Sequence, residues 1–326
     1  MSIQLKGWLP VDAVVVDGRP GLRWMEMADV SLSEPFFQQT VDRAKKDGTK
    51  RGELFTEFDA LLQLEKVLDS VSPTGFIFHS SRCGSTLVAN ACRAISSSIV
   101  LSEANAIDKL IARFFTDTGD IKASLYSVFL RGVVHALGQR RRGEEQHLFI
   151  KFACTSFAQL ERITRIWPHV PWLFLYRDPV ETIVSNVNDP PTWLTDDDWR
   201  VLASITGTTP SEVANMTIAE RCARSLGSFY SHAYNVANNQ SLLLNYNQLS
   251  IPVLSNVLKF FRVSPSAQEL EAIARASRVY AKEISGTRPF VADANTKQKL
   301  ASDLVRRAAD AWANEPYRRL EQKREQ

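Results

Sequence analysis

Between Gly75 and Leu87 the chain reads Gly-Phe-Ile-Phe-His-Ser-Ser-Arg-Cys-Gly-Ser-Thr-Leu. An apolar run, Phe76 to Phe78, ends in small and polar residues and passes directly into a helical pattern from Thr86 to Ala94. This order predicts a strand, a tight loop and a helix amino terminus, the geometry that presents unpaired backbone N–H groups to an anion. Gly84 permits a close turn, Ser81, Ser85 and Thr86 add hydroxyl donors, and Arg82 adds a permanent charge. The loop suits a phosphate, although the same residues also make an ordinary capped helix start.

A Walker A loop has the form G-x-x-x-x-G-K-[ST]. Here His79 stands at the first glycine and Ser85 at the lysine, so only Gly84 and Thr86 match. The missing lysine weakens a magnesium–ATP reading. A second strand-to-helix passage follows downstream. Pro171 to Tyr176 is apolar and buried in character, and Arg177-Asp-Pro-Val-Glu-Thr-Ile-Val-Ser185 continues it. Pro179 suits a first helical turn, and Val180, Ile183, Val184 and Val187 keep helical spacing. Arg177 therefore falls at a strand's carboxyl end and Ser185 about two turns into the next helix. A guanidinium forks onto a phosphate and a hydroxyl completes the shell. An Arg–Asp turn salt bridge with a solvent-facing serine is the competing reading.

The loop pattern [K/R]-x-G-[ST]-T, with an R-[DN]-P segment and a serine eight residues after its arginine, resembles the sulfotransferases that use 3′-phosphoadenosine 5′-phosphosulfate (PAPS). The likeness is to their bacterial and tyrosylprotein branch and runs from residue 75 to about residue 260. It implies that Ser81, Arg82, Cys83, Gly84, Ser85, Thr86 and Leu87 surround the 5′-phosphosulfate, with Arg82 polarising the bridging oxygen. It implies a 3′-phosphate on Arg177 and Ser185. Glu103, after the short strand Ile99–Leu101, takes the place of the family's proton acceptor, and is also a dipole-favoured helix-start carboxylate. Lys151 ends the strand Leu148-Phe-Ile-Lys, where the family has a lysine that offsets charge on the moving group; a snorkelling lysine is the alternative.

Departures accompany the likeness. Phe152-Ala-Cys-Thr-Ser replaces a small or Thr-Pro tail. Leu242 to Leu249 matches a strand–Tyr segment that puts Tyr246 near adenine, but Asn247 replaces the usual Glu. Arg288 to Lys297 stands where the family has a basic loop with glycines, here absent; Arg288 or Lys297 would contact the nucleotide. The five histidines, His79, His135, His147, His169 and His232, match no family base.

The implied reaction is sulfuryl transfer from PAPS to a hydroxyl or amine on a small molecule or peptide, without a metal. An ATP-dependent P-loop kinase and a catalytically silent nucleotide-binding protein remain the rival classes. Phe114, Phe115, Trp193 and Trp199 are candidate acceptor-pocket residues, and Asp196-Asp-Asp198 is a candidate contact for a cationic acceptor.

At 326 residues, 44% hydrophobic and 23% charged, the chain is long enough for one large core. A net charge of +3 argues against a nucleic-acid coat. Cys83, Cys92, Cys154 and Cys222 lack metal or disulfide spacing and read as reduced thiols. With no membrane-length apolar run and no secretion-like leader, the expectation is a cytoplasmic protein without membrane attachment. The sequence says nothing of oligomeric state.

Residues 1–70 read as an extension that packs on the core or covers the cleft. Strands are expected at Ala13–Val16 and Leu22–Met25 around the Gly18–Gly21 turn, and helices at Phe36–Lys46 and Glu57–Ser70. From 71 to 326, strands at Phe76–His79, Ile99–Leu101, His147–Lys151, Trp172–Tyr176 and Ser241–Asn245 alternate with helices. That rhythm predicts an α/β fold: a P-loop-type parallel sheet with helices on both faces and ligand at the strands' carboxyl ends. Arg140-Arg-Arg142 reads as a solvated loop and the tail from Lys297 as an amphipathic helix.

Overall fold

The computed structural model describes residues 5–116, 120–279, 281–282 and 293–326. Two sheets organise them. The first is antiparallel, with β1 (Trp8–Val16), β2 (Arg19–Glu26) and β3 (Glu53–Glu57) in that spatial order. The second is parallel and contains β4 (Pro73–His79), β5 (Ser98–Ser102), β6 (His147–Lys151), β7 (Trp172–Tyr176) and β8 (Ser241–Asn245), in the order β5-β6-β4-β7-β8. These are the five strands expected from the sequence, extended by up to three residues at their ends.

Alternation along the strands explains why both faces of this sheet carry helices. Phe76, Phe78, Ile150, Trp172, Phe174 and Tyr176 enter the larger core, whereas Ile77, Val100, Phe149, Leu173 and Leu175 enter the smaller one. The smaller core is closed by the helices Ser85–Arg93, Ile251–Phe260 and Ala267–Ala276. The larger holds the helices Pro179–Asn188 and Ile218–Val236 together with the antiparallel sheet. Ring stacking reinforces it, with Phe78–Phe152 centroids at 4.8 Å and Phe157–Phe174 at 4.1 Å.

Strand order makes the site. The chain leaves the central β4 toward β5 and β6, then returns to β4's other side for β7 and β8. The helix after β4 joins one core and the helix after β7 the other, so a crevice opens between adjacent strand ends at this switch point. Parallel register brings His79 opposite Leu175, and Lys151 opposite both Ile77 and Ser102.

The amino-terminal region differs in part from expectation. The β1–β2 hairpin turns at Asp17 and Gly18, both at positive φ, one step earlier than the Gly18–Gly21 turn. The expected helix Phe36–Lys46 is present as Phe37–Lys46. Instead of a helix over Glu57–Ser70, residues Glu53–Glu57 form an edge strand and Phe58–Lys66 a run of 3₁₀ turns. A short strand with charged ends lacks a strong pattern of its own; pairing with β2 decides it.

The arginine run is not a solvated loop. Arg141 donates to the carbonyls of Met27 and Val30, both at 2.7 Å, and Arg140 donates to the Glu145 carbonyl at 2.9 Å. Gln139 accepts from the Gly7 amide and donates to the Trp8 carbonyl. These contacts staple the amino-terminal region to the parallel sheet. Among the described residues no helix is long and apolar enough to cross a membrane. Arg141→Ala leaves two carbonyls without a charged donor and is expected to lower the unfolding free energy by about 2 kcal/mol, measured by urea denaturation.

Candidate functional site

The loop after β4 has the curl that anion cradles require. Ser81, Arg82 and Gly84 take φ of 74°, 49° and 86°. Left-handed backbone at two non-glycine residues in succession is uncommon, and such turns gather consecutive amides into one concavity. No backbone carbonyl among the described residues accepts from the amides of Arg82, Cys83, Gly84 or Thr86. Gly84 is required twice over. Its φ is positive, and a Cβ there would come within 2.6 Å of Leu249 and 3.1 Å of Tyr246. Ser81 Oγ and Arg82 Nε both donate to Asn186 Oδ1, each at 3.3 Å, while Arg82 Nη2 donates at 2.6 Å to the exposed Asp189 carboxylate. Cys83 is buried and donates to the Leu175 carbonyl, so it supports the loop through its side chain.

Arg177 stands at the end of β7, only 3% exposed. Buried guanidinium needs partners on every side, and it has them. Nε donates to Glu181 at 2.6 Å, Nη2 to Asp293 at 2.7 Å, and Nη1 reaches the Arg82 carbonyl at 3.5 Å. Its flat face lies 4.1 Å from the centre of the Tyr246 ring, and its own carbonyl accepts from the Tyr230 hydroxyl at 2.7 Å. Asp178 caps the following helix by accepting from the Glu181 amide. Ser185 lies one turn beyond Glu181, and its Oγ is buried with no hydrogen-bond partner among the described residues. Lys297 Nζ is 2.7 Å from the second oxygen of Asp293.

The two anion positions belong to one crevice. Tyr246 touches both, stacking on Arg177 and lying beside Gly84, and Arg177 itself contacts the loop carbonyl.

At the other side of β4 a charged cluster forms at the ends of β5 and β6. Lys151, 1% exposed, is ion-paired with Glu103, whose amide donates to the Lys151 carbonyl at 2.7 Å. Glu103 takes φ of 51°, which turns it from the strand into the cluster. Burial raises its carboxyl, but the Lys151 charge and the hydrogen bonding from His79 and Lys151 together outweigh it and hold the group well below the usual carboxylate range. His79 Nδ1 accepts from the Ser81 amide at 3.1 Å, leaving Nε2 as the ring's proton-bearing atom, 3.4 Å from Glu103 Oε1. Burial, then the Lys151 charge, pushes the imidazole down to about 4, so the ring is neutral at pH 7.

Three participants in this cluster carry no sequence motif. Asp108, in the first turn of the helix Asn105–Thr116, accepts from the Ala153 amide at 3.2 Å and from Ser156 Oγ at 3.4 Å. Burial, joined by the Glu103 charge, raises its carboxyl to about 7. Lys282 is lowered by burial and then by the charges of Arg82 and Lys151, which places it among the cations of the crevice. Phe36, from the amino-terminal region, has its ring centre 5.1 Å from Lys151 Nζ, so that region reaches the site. A carboxylate five residues past Glu103 was a readable signal; an isolated lysine or phenylalanine was not.

The structure thus brings Ser81 through Leu87, Glu103, Lys151, Arg177, Ser185, Tyr246 and Lys297 to one sheet edge. Arg288 lies outside the described residues. The proposed acceptor aromatics diverge. Phe114 is in the core, Trp199 stacks on Arg221 at 4.0 Å, and Phe115 lines a cavity of about 150 Å³ with Ser204, Ile205, Phe229 and His232. Asp198 is taken up by Arg200 at 2.6 Å.

No family model matches the sequence, and no curated protein does. Sulfotransferases are among the similar solved structures. The sulfotransferase STF9 from Mycobacterium avium is 9% identical, with a TM-score of 0.44, over 83% of this chain and 81% of that one. The sulfotransferase domain of the Synechococcus PCC 7002 olefin synthase is 15% identical, with a TM-score of 0.39, over 78% and 95%. Mouse sulfotransferase SULT7A1 complexed with PAP is 14% identical, with a TM-score of 0.34, over 82% and 90%. At such identities and TM-scores the likeness carries no argument of its own, and the chemistry has to come from this chain's own side chains.

Asp108 gives a pH signature. Its carboxyl moves from 3.8 unfolded to about 7 folded, so the folded chain holds the extra proton between those values. That stabilisation is complete below the unfolded pKa and is lost as pH rises through the folded one. Thermal melts of Asp108→Asn and the parent are expected to show an advantage for the variant that widens from about pH 4 to about pH 7 and then levels off.

Proposed function

We propose that this protein is a PAPS-dependent sulfotransferase acting on a hydroxyl or amine acceptor. The observation that carries the reading is the pair of anion positions in one crevice, joined by Tyr246: a curled loop rich in amides, and a buried arginine beside an unpartnered serine hydroxyl. Their residues fit a nucleotide with a phosphate at each end. The loop amides of Arg82, Cys83, Gly84 and Thr86 have no backbone carbonyl partner among the described residues, and the buried Ser185 Oγ lacks the partner that a phosphate oxygen supplies.

In this reading the amides of residues 82 to 87 hold the 5′-phosphate end, Arg177 with Ser185 and Lys297 holds the 3′-phosphate, and Tyr246 packs beside the adenosine. PAPS supplies an activated sulfuryl group when bound. Arg82, Lys151 and Lys282 offset the charge on the oxygen that departs and on the group that moves. Arg82 is released for this from Asp189, an exposed carboxylate that water readily replaces. Glu103 receives the acceptor's proton. Its basicity rises as Lys151's charge is drawn toward the transferring group, because that ammonium is the foremost of the groups that depress its carboxyl. The Nε2–H of neutral His79 faces the same carboxylate and helps to orient it. In the balanced step the acceptor oxygen or nitrogen gains a bond to sulfur, the bridging oxygen loses its own, and one proton passes to Glu103.

Two measurements test this. Arg177→Ala is expected to weaken binding of PAP, the desulfated nucleotide, roughly tenfold or more in calorimetry, the usual worth of a buried charge-assisted contact. An unchanged affinity contradicts the assignment. Glu103→Gln is expected to cut turnover of labelled PAPS by about a hundredfold or more while PAP affinity stays within about twofold.

A further inference from the structure

Asp293 is in an unexpected position for a helix-start aspartate. It precedes the helix Ala294–Leu300, yet makes no side-chain cap to that helix. Its carboxylate instead turns to the anion pocket, one oxygen 2.7 Å from Arg177 Nη2 and the other 2.7 Å from Lys297 Nζ. Arg177 and Lys297 are 4% and 17% exposed in their side chains, against 44% for Asp293. The cations are buried and the carboxylate is the exposed partner, the one that solvent or a ligand can reach. The helix is anchored without it, because Gln298 donates to Asp178 at 2.9 Å and Arg306 donates to the Gln298 carbonyl at 2.5 Å.

We infer that Asp293 is a resident anion in the 3′-phosphate pocket, a built-in competitor that sets how tightly the 3′-phosphorylated nucleotide is held. This rests on the nucleotide reading above. Arg177 and Lys297 carry two positive charges, and Glu181 and Asp293 carry two negative ones, so the pocket is balanced while Asp293 stays. A 3′-phosphate brings more charge and three acceptor oxygens, enough to expel one carboxylate and to reach Ser185 Oγ. A ribose with a plain 3′-hydroxyl brings no charge and cannot displace it. Asp293 therefore leaves its place only for a 3′-phosphorylated nucleotide, and a 5′-nucleotide without that group binds with the carboxylate still in position. The competing carboxylate lowers affinity for every ligand that must displace it.

The test compares the parent with Asp293→Asn and Asp293→Ala, by calorimetry with PAP and with adenosine 5′-phosphate, and by thermal shift with inorganic phosphate. Both variants are expected to bind PAP about tenfold more tightly, equivalent to about 1.4 kcal/mol. Adenosine 5′-phosphate affinity is expected to change less than about twofold, and inorganic phosphate to raise the melting temperature of the variants more than that of the parent. Equal or weaker PAP binding by the variants, with no gain from phosphate, overturns the inference. If none of the proteins binds PAP but phosphate still selectively stabilises both variants, the resident anion stands and the nucleotide reading falls.

Discussion

The contact on which the rest depends is the stack of Arg177 on Tyr246. A guanidinium 3% exposed at the end of a central parallel strand cannot stand alone in a protein interior. Its edge is met by Glu181 and Asp293, its face by an aromatic ring, and its carbonyl by the Tyr230 hydroxyl. Tyr246 also abuts Gly84, and Arg177 reaches the Arg82 carbonyl, so one side chain fixes the spacing of two anion positions. The β4-centred strand order brings these elements together, since the helices after β4 and β7 leave to opposite faces.

Charge along the sheet edge follows one rule. Arg82 faces Asp189, Lys151 faces Glu103, and Arg177 and Lys297 share Asp293. The cations come from a loop, two strand ends and the helix Ala294–Leu300, and all four are largely buried. Asp189 and Asp293 are much more exposed, which makes them the replaceable members. Under the proposed function, a polyanion entering the crevice would substitute for carboxylates already there, and the low-dielectric walls would sharpen each new contact. Glu103 differs because it is held between the Lys151 ammonium and the His79 ring. That environment ties its basicity to where the Lys151 charge is directed.

Much of this was legible in the sequence because local patterns carried it. The apolar runs that became β4 to β8 lie between turn and helix signals, and buried parallel strands read as continuous apolar segments. Gly84 and the Arg177–Ser185 spacing pointed to the crevice for reasons that are local as well. What escaped depends on long-range contact. The edge strand Glu53–Glu57 is specified by β2, and Arg141 looked solvated until the carbonyls of Met27 and Val30 closed on it. Lys282 and Asp293 belong to no motif, and only the folded chain places their charges beside Lys151 and Arg177.

A crystal structure of the protein with PAP tests the central claim most directly. The account predicts one nucleotide across the β4 and β7 ends, with its 5′-phosphate on the amides after Ser81, its 3′-phosphate on Arg177 and Ser185, and its base beside Tyr246. A nucleotide that leaves either position empty, or phosphates bound in separate clefts, contradicts it.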